Sequence, residues 1–484
     1  MQETVLEEWN YNWVNGSKVQ AAAHLEVWNP ASGEMIARVP DLDPAEVVKA
    51  IDAASQAFPI WSAKPAPERS AVLEDWADRL LADRTALARL MTLEQGKPLS
   101  ESLGEIEGAA AIIKWYAEEA KRSCGEIIPA SNPNQQLLVY REPVGVAALI
   151  TPMNFPAATV ARKVAPALAA GCSLILKPAE TTPLTAIAMF GHLMQTALPA
   201  GTANLVTGQP ARTGEVLLAD ERVRKISFTG STRTGKHLMQ QAASTVKRMS
   251  MELGGNSPVI IFPDADLDKA AQAVVANNFE NCGQGCNGIN VVHLHRDIKE
   301  RFVQKLLPLV QGLRVGPGMQ PGTDVGPLID EKALAKVERL VRDAEREGAK
   351  VLLGGKSLKG AKYAGGNFYA PTLLDEVTDD MDIAREEIFG PVAPVLTFDN
   401  EEEVLARVNV TRYGLAAYVF TGDFRRIHRM ISGLEAGNIG INGTSLAYLQ
   451  SPFGGVKESG IGREGGRQGL EEYTVLKYVA MTIS

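Results

Sequence analysis

The chain has few cysteines, few aromatics and no excess of basic charge. Four cysteines (Cys124, Cys172, Cys282 and Cys286) in 484 residues exclude a disulfide scaffold. Lys and Arg total 49 against 57 Asp and Glu, a net charge of −8, which argues against the basic face a nucleic-acid binder carries. The longest apolar stretches, such as 164-VAPALAAGCSLIL-176, fall short of the ~20 residues that span a bilayer, and Pro166 and Gly171 interrupt them. The opening MQETVLEEWN has neither a basic nor a long apolar segment, so a reducing, cytoplasmic compartment is expected. No fixed-period repeat and no low-complexity block occurs.

What is present is ordinary globular composition, 45% apolar and 22% charged, over a length that suits two or three domains. Short continuous apolar runs at 145–151, 172–177, 203–207, 224–229 and 257–262 read as buried parallel strands. Helical stretches near 183–197, 211–219 and 232–244 separate several of them, which describes a doubly wound α/β unit. Two long amphipathic helices, roughly 67–95 and 100–122, precede it. A second α/β unit is expected from 264 to about 440. It begins with a helix over 266–281, with Asp264 in its N-cap region, and has strands at 289–295, 350–355, 391–398, 415–421 and 438–442. Residues 126–145 read as a protruding hairpin. The apolar strand-like tail 473–484 needs a partner in cis or on another subunit, so it is read as an oligomerisation element.

Four segments could carry chemistry. In 226-ISFTGSTRTGKH-237, Gly230 and Ser231 open a helix directly after a strand, where outward N–H groups favour a phosphate. The spacing approaches a P-loop, but His237 stands where a Mg²⁺-binding hydroxyl is required, so a nucleotide hydrolase is the weaker alternative and a dinucleotide fits better. In 278-NFENCGQGCN-287, Cys282 continues an apolar helical stripe and reads as core. Cys286 follows Gly283 and Gly285 and reads as a candidate nucleophile; a zinc site does not fit the spacing. Glu252, ahead of Leu253, Gly254 and Gly255, is a candidate base of raised pKa. In 151-TPMNFP-156, Asn154 lies between two prolines past a strand end, where its amide could face an oxyanion. Lys177 and Glu180, past the next strand end, could reach a ribose.

Taken together these segments resemble the aldehyde dehydrogenase superfamily. The segments 151-TPMNFP-156, 177-KPAE-180, 228-FTGS-231, 252-ELGG-255, 283-GQGC-286, 387-EIFGP-391 and 452-PFGGVKESGIGREGG-466 fall in that family's order across nearly the whole chain. The segments 168-LAAGCSLILKPAETTP-183 and 462-GREG-465 resemble the succinate-semialdehyde dehydrogenase branch. The resemblance implies a variant Rossmann cofactor domain (1–123 and 143–252), an α/β catalytic domain (253–458) and a small β oligomerisation unit (124–142 and 470–484). It implies an NAD(P)⁺-dependent oxidation of an aldehyde to an acid, by a homodimer or homotetramer. Cys286 is implied as nucleophile, Glu252 as base and Asn154 as oxyanion donor. Thr151, Pro152, Met153, Lys177, Glu180, Gly208, Gly230, Ser231, Leu253, Glu387 and Phe389 are implied as cofactor contacts.

Glu180 beside a ribose would repel a 2′-phosphate, so NAD⁺ is expected over NADP⁺. On the substrate side the resemblance assigns Arg162, Glu280, Ala447 and Tyr448. Here the chain departs from the branch: Glu280 replaces a carboxylate-binding arginine and Ala447 a serine. Either Glu280 repels a dicarboxylic semialdehyde or it pairs with Arg162, which opens the way to neutral, aromatic or amino-bearing aldehydes. Relatives near this branch also pair cysteines as a redox switch, which raises the same question for Cys282 and Cys286.

Overall fold

The computed structural model describes residues 10–483. Its centre is an eight-stranded sheet ordered Gly460–Ile461, Arg248–Glu252, Val223–Thr229, Val146–Ile150, Ser173–Lys177, Ala203–Leu205, Asn12–Val14, Ser17–Val19. The five strands from Arg248–Glu252 to Ala203–Leu205 run parallel. Val146–Ile150 and Ser173–Lys177 are buried at every residue, because helices cover both faces. From Val146–Ile150 the chain first builds outward to one side and then returns to build on the other. The carboxyl ends of Val146–Ile150 and Val223–Thr229 therefore flank a switch point, where a ligand crevice forms in such sheets.

A second, seven-stranded sheet is ordered Lys350–Leu353, Thr372–Asp375, Val392–Phe398, Ile289–His295, Ser257–Ile261, Ala416–Phe420, Asn438–Ile441, all parallel except Lys350–Leu353. Glu126–Ile128 and Gln135–Pro143 form the hairpin, and the tail strand Thr474–Thr482 pairs antiparallel with Gln135–Pro143 along its whole length. The tail thus finds its partner in cis. Ile127, Leu476 and Tyr478 still stand 82%, 64% and 59% exposed on that sheet.

Three details correct the sequence reading. The helix expected over 67–95 is two, Ala66–Ala82 and Arg84–Gln95, because Asp83 leaves helical geometry (φ −106°, ψ 15°). The helix expected over 266–281 spans Leu267–Asn278, and its cap is Asp266, which accepts from the Lys269 N–H. Pro166 does not interrupt its segment: Ala158–Ala170 is helical through it and stops at Gly171, whose φ of +97° suits glycine.

Candidate active site

Each chemistry-bearing segment leaves a buried element where the backbone turns sharply. Asn154 follows strand Val146–Ile150, Gly230 and Ser231 follow Val223–Thr229, and Glu252 is the last residue of the strand beside it. Cys286 arrives from the second sheet. After helix Leu267–Asn278, Asn281, Cys282 and Gly283 take φ values of +49°, +58° and +72°, and this left-handed turn throws the following loop toward the first sheet. The turn buries Cys282 in the apolar core of the second sheet while Cys286 is half-buried at the cavity wall. Both are free thiols. Gly255 is required where the two units meet, since a Cβ there would stand 2.7 Å from the Cys286 carbonyl oxygen.

One cavity of about 310 Å³ collects most of the expected residues. Cys286, Asn154 and Glu252 line it together with Pro152, Met153, Gly230, Ser231, Leu253, Glu387 and Phe389. Thr151, Lys177, Glu180 and Gly208 are not in its wall but sit along the same carboxyl edge of the first sheet. The Thr151 N–H donates to the Lys177 carbonyl at 3.2 Å, and Lys177 Nζ lies 3.3 Å from Glu180 Oε2. Gly208 packs against Thr213, whose Oγ1 would stand 2.6 Å from any Cβ added there.

The electrostatics of the cavity are unusual. Both carboxylate oxygens of buried Glu252 lack a hydrogen-bond partner among the described residues. Burial, then the charge of Glu464, raises the Glu252 carboxyl well above its ordinary range, against the pull of Lys163, Arg463 and Arg162. Burial also pushes the Cys286 thiol up to about 12, with Glu252, Glu387 and Glu464 adding to it. Cys286 therefore rests as a thiol and needs a base to become a nucleophile. Asn154 Nδ2 donates to the Gln284 carbonyl at 2.9 Å, which uses one of its two N–H groups and leaves the other. Glu387 is held by the Gly255 N–H at 2.9 Å, and burial raises its carboxyl.

The wall suits a dinucleotide. Ser231 caps the eleven-residue helix Thr232–Ala242 by accepting from the Thr234 N–H at 3.3 Å, so the positive end of that helix meets the cavity. A Cβ on Gly230 would collide with the Phe228 ring at 2.5 Å, so only glycine permits this close turn.

Arg162, Glu280, Ala447 and Tyr448 are not part of this wall. Arg162 reaches the Ala447 carbonyl at 3.4 Å and lies over the Phe453 ring. It is not paired with Glu280, whose carboxyl is raised by burial and by Glu105 and drawn down by Lys97. Tyr448 is exposed.

Sequence reasoning missed three neighbours. Lys336 lines the cavity from an amphipathic helix among other charged residues, a setting with no distinguishing signal. Glu464, paired to buried Lys163 at 2.5 Å, lies inside the quoted 452–466 segment and was legible as a charge among glycines. Lys97, 2.8 Å from the Asn154 carbonyl, announced itself only by following a glycine.

A doubly wound cofactor-type sheet, facing a cysteine, a carboxylate and an amide across one crevice, defines a class of dinucleotide-dependent enzymes. The aldehyde dehydrogenase family pattern matches residues 13–479, and the chain belongs to that family. It is 45% identical over 472 residues to the succinate-semialdehyde dehydrogenase [NADP(+)] of Escherichia coli, covering 98% of this chain and 96% of that one. It is 45% identical over 474 residues to the glutarate-semialdehyde dehydrogenase of Pseudomonas putida, covering 98% and 97%. Among solved structures, the betaine aldehyde dehydrogenase of Staphylococcus aureus in complex with NAD⁺ superposes with a TM-score of 0.97 at 36% identity, over 100% of this chain and 98% of that one. This membership displaces the P-loop hydrolase alternative.

Proposed function

We propose that this protein oxidises an aldehyde to the carboxylic acid through covalent attachment to Cys286, with NAD(P)⁺ as cofactor. The observation that carries this reading is that Cys286, Glu252 and Asn154 line one cavity with the Gly230–Ser231 helix start. The Cys286 thiol gives up its proton to solvent and the sulfur adds to the aldehyde carbon, while Glu252, desolvated and without a hydrogen-bond partner among the described residues, stays ionised for the later hydrolytic step. The remaining Asn154 N–H and the Cys286 backbone N–H donate to the oxyanion of the thiohemiacetal. A bound nicotinamide supplies the hydride acceptor. Oxidation leaves an acyl thioester on Cys286; Glu252 then deprotonates a water, which attacks the acyl carbon and returns the sulfur as leaving group. The base must be a separate residue, because the sulfur is acylated when water arrives.

Thr151, Pro152, Met153, Leu253 and Gly208 line the path of the dinucleotide in this reading. Gly230 and Ser231 take its pyrophosphate, Lys177 and Glu180 a ribose, and Glu387 and Phe389 the nicotinamide side. Of the expected spans 1–123 with 143–252 as cofactor domain, 253–458 as catalytic domain and 124–142 with 470–484 as oligomerisation unit, this reading keeps all three, residues 1–9 and 484 lying outside the described residues. The exposed apolar face of that last sheet supports a homodimer or homotetramer. Four free thiols support a reducing, cytoplasmic setting. Among the described residues no helix is long and apolar enough to cross a membrane. The relatives' named substrates, and the Arg162 guanidinium that has no carboxylate partner among the described residues, together favour a carboxylate-bearing semialdehyde. An NAD⁺-reduction assay over succinate semialdehyde and aliphatic, aromatic and amino aldehydes tests this. Turnover with the acid-bearing aldehydes is expected, and turnover confined to neutral ones contradicts it.

A further inference from the structure

The groups that do the chemistry are held together by a corner of chain that touches none of the reacting atoms. Helix Arg84–Gln95 ends at Gln95, Gly96 follows at φ +94°, and Lys97 points inward, 1% exposed. A Cβ on Gly96 would lie 2.7 Å and 2.8 Å from ring carbons of Pro327 and Pro30, so the corner is fixed from both sides. Lys97 Nζ lies 2.6 Å from Glu105 Oε2 and donates to the Asn154 carbonyl at 2.8 Å. That carbonyl also accepts from Asn281 Nδ2 at 2.8 Å, and Asn281 Oδ1 in turn accepts from Gln95 Nε2 at 2.8 Å. Gln95 Oε1 closes the circuit by accepting the Lys97 N–H at 2.9 Å. Glu105 Oε1 meanwhile accepts the N–H groups of Ala157 and Ala158, at 2.8 Å and 3.0 Å, where the next helix begins.

Stability alone does not account for this arrangement. A buried ion pair adds little over a well-packed apolar pair, but it fixes one geometry. Here the fixed object is the Asn154 peptide: two donors hold its carbonyl, and one acceptor, Gln284 O, holds one side-chain N–H. The free N–H then has a single direction.

We infer that Lys97, with Gln95 acting through Asn281, is a positioning residue that aims the Asn154 amide at the developing oxyanion. This rests on the reading of Asn154 as the oxyanion donor.

The test is a four-way comparison of single-turnover NADH formation at saturating aldehyde and NAD⁺. The proteins are the parent, K97M/E105Q, N154A and the combined variant. In the double exchange the glutamine keeps an acceptor for Ala157 and Ala158, and the methionine keeps the volume, so neither member of the Lys97–Glu105 pair is left alone; Glu101 and Glu280 lose the Lys97 cation in both backgrounds, and that effect cancels in the comparison. K97M/E105Q is expected to slow the step about ten- to a hundredfold, with the aldehyde KM within about threefold of the parent. In the N154A background the same exchange is expected to cost less than about twofold, because no amide remains to be aimed. An equal loss in both backgrounds marks general loosening and overturns the inference, as does a K97M/E105Q enzyme within about twofold of the parent. Should that variant not fold, Q95M cuts the second tie and enters the same comparison with the same two outcomes. An N154A enzyme at the parent rate would remove both the oxyanion assignment and this inference. A parent that reduces no NAD⁺ with any aldehyde would instead refute the proposed function.

Discussion

Lys163 Nζ rests 2.5 Å from Glu464 Oε1, while the neighbouring Glu252 feels the charges of both without a hydrogen-bond partner among the described residues. Lys163 also donates to Ser227 Oγ at 2.9 Å, so the ammonium is committed to the strand below the cavity. Glu252 is left desolvated beside a second carboxylate, an arrangement that raises its affinity for a proton.

The first prediction concerns pH. Glu252 acts in its charged form, and burial with Glu464 opposes that form, so turnover falls as pH drops through its raised pKa. Replacing Glu464 by Gln removes a like charge and frees Lys163 to act on Glu252. Both changes lower the Glu252 pKa, so the acid limb of kcat should move down by at least ~0.5 pH unit. A limb that stays in place or moves up contradicts the coupling.

Glu252→Gln separates the two halves of the reaction. With no carboxylate to activate water, the thioester should accumulate. Rapid mixing is expected to give a burst approaching one NADH per site, followed by turnover at least about a hundredfold below the parent. Steady turnover at the parent rate would assign the base elsewhere.

The resting thiol offers a third check. With the Cys286 thiol raised to about 12, its alkylation by iodoacetamide in the free enzyme should climb steadily between about pH 7 and about pH 10 without a plateau. Peptide mapping distinguishes it from the exposed Cys124. A plateau near neutrality would mean a stabilised thiolate that the surrounding carboxylates do not predict.

Cofactor choice tests Glu180. It stands 46% exposed beside Lys177 at the strand end. NAD⁺ should give the higher kcat/KM, and Glu180→Gln should raise kcat/KM for NADP⁺ by about three- to tenfold by removing a charge opposed to a 2′-phosphate. A parent that prefers NADP⁺ would show that Lys177 dominates.

Much of this was legible in the sequence because the parallel strands are continuous apolar runs. Residues 289–295 form a strand at the expected bounds, and 145–151 contains the observed Val146–Ile150. The ends of these strands locate Asn154, Lys177 and Gly230 in turn. The rest depended on backbone turns that composition hides. Cys282 continues a helical stripe in sequence, yet three consecutive residues of positive φ carry the chain away from it. The strand Arg248–Glu252 begins with charge and was not anticipated, although it places Glu252. Gln95, Lys97 and Lys336 act through contacts of long sequence separation, which no local pattern reports.

The covalent step can be seen directly. Glu252→Gln enzyme, mixed with aldehyde and NAD⁺ and quenched in acid during the burst, should carry one acyl group by intact mass, and proteolysis should place it on the peptide containing Cys286. An unmodified Cys286 peptide, or an acyl group on any other residue, would contradict the mechanism at its centre.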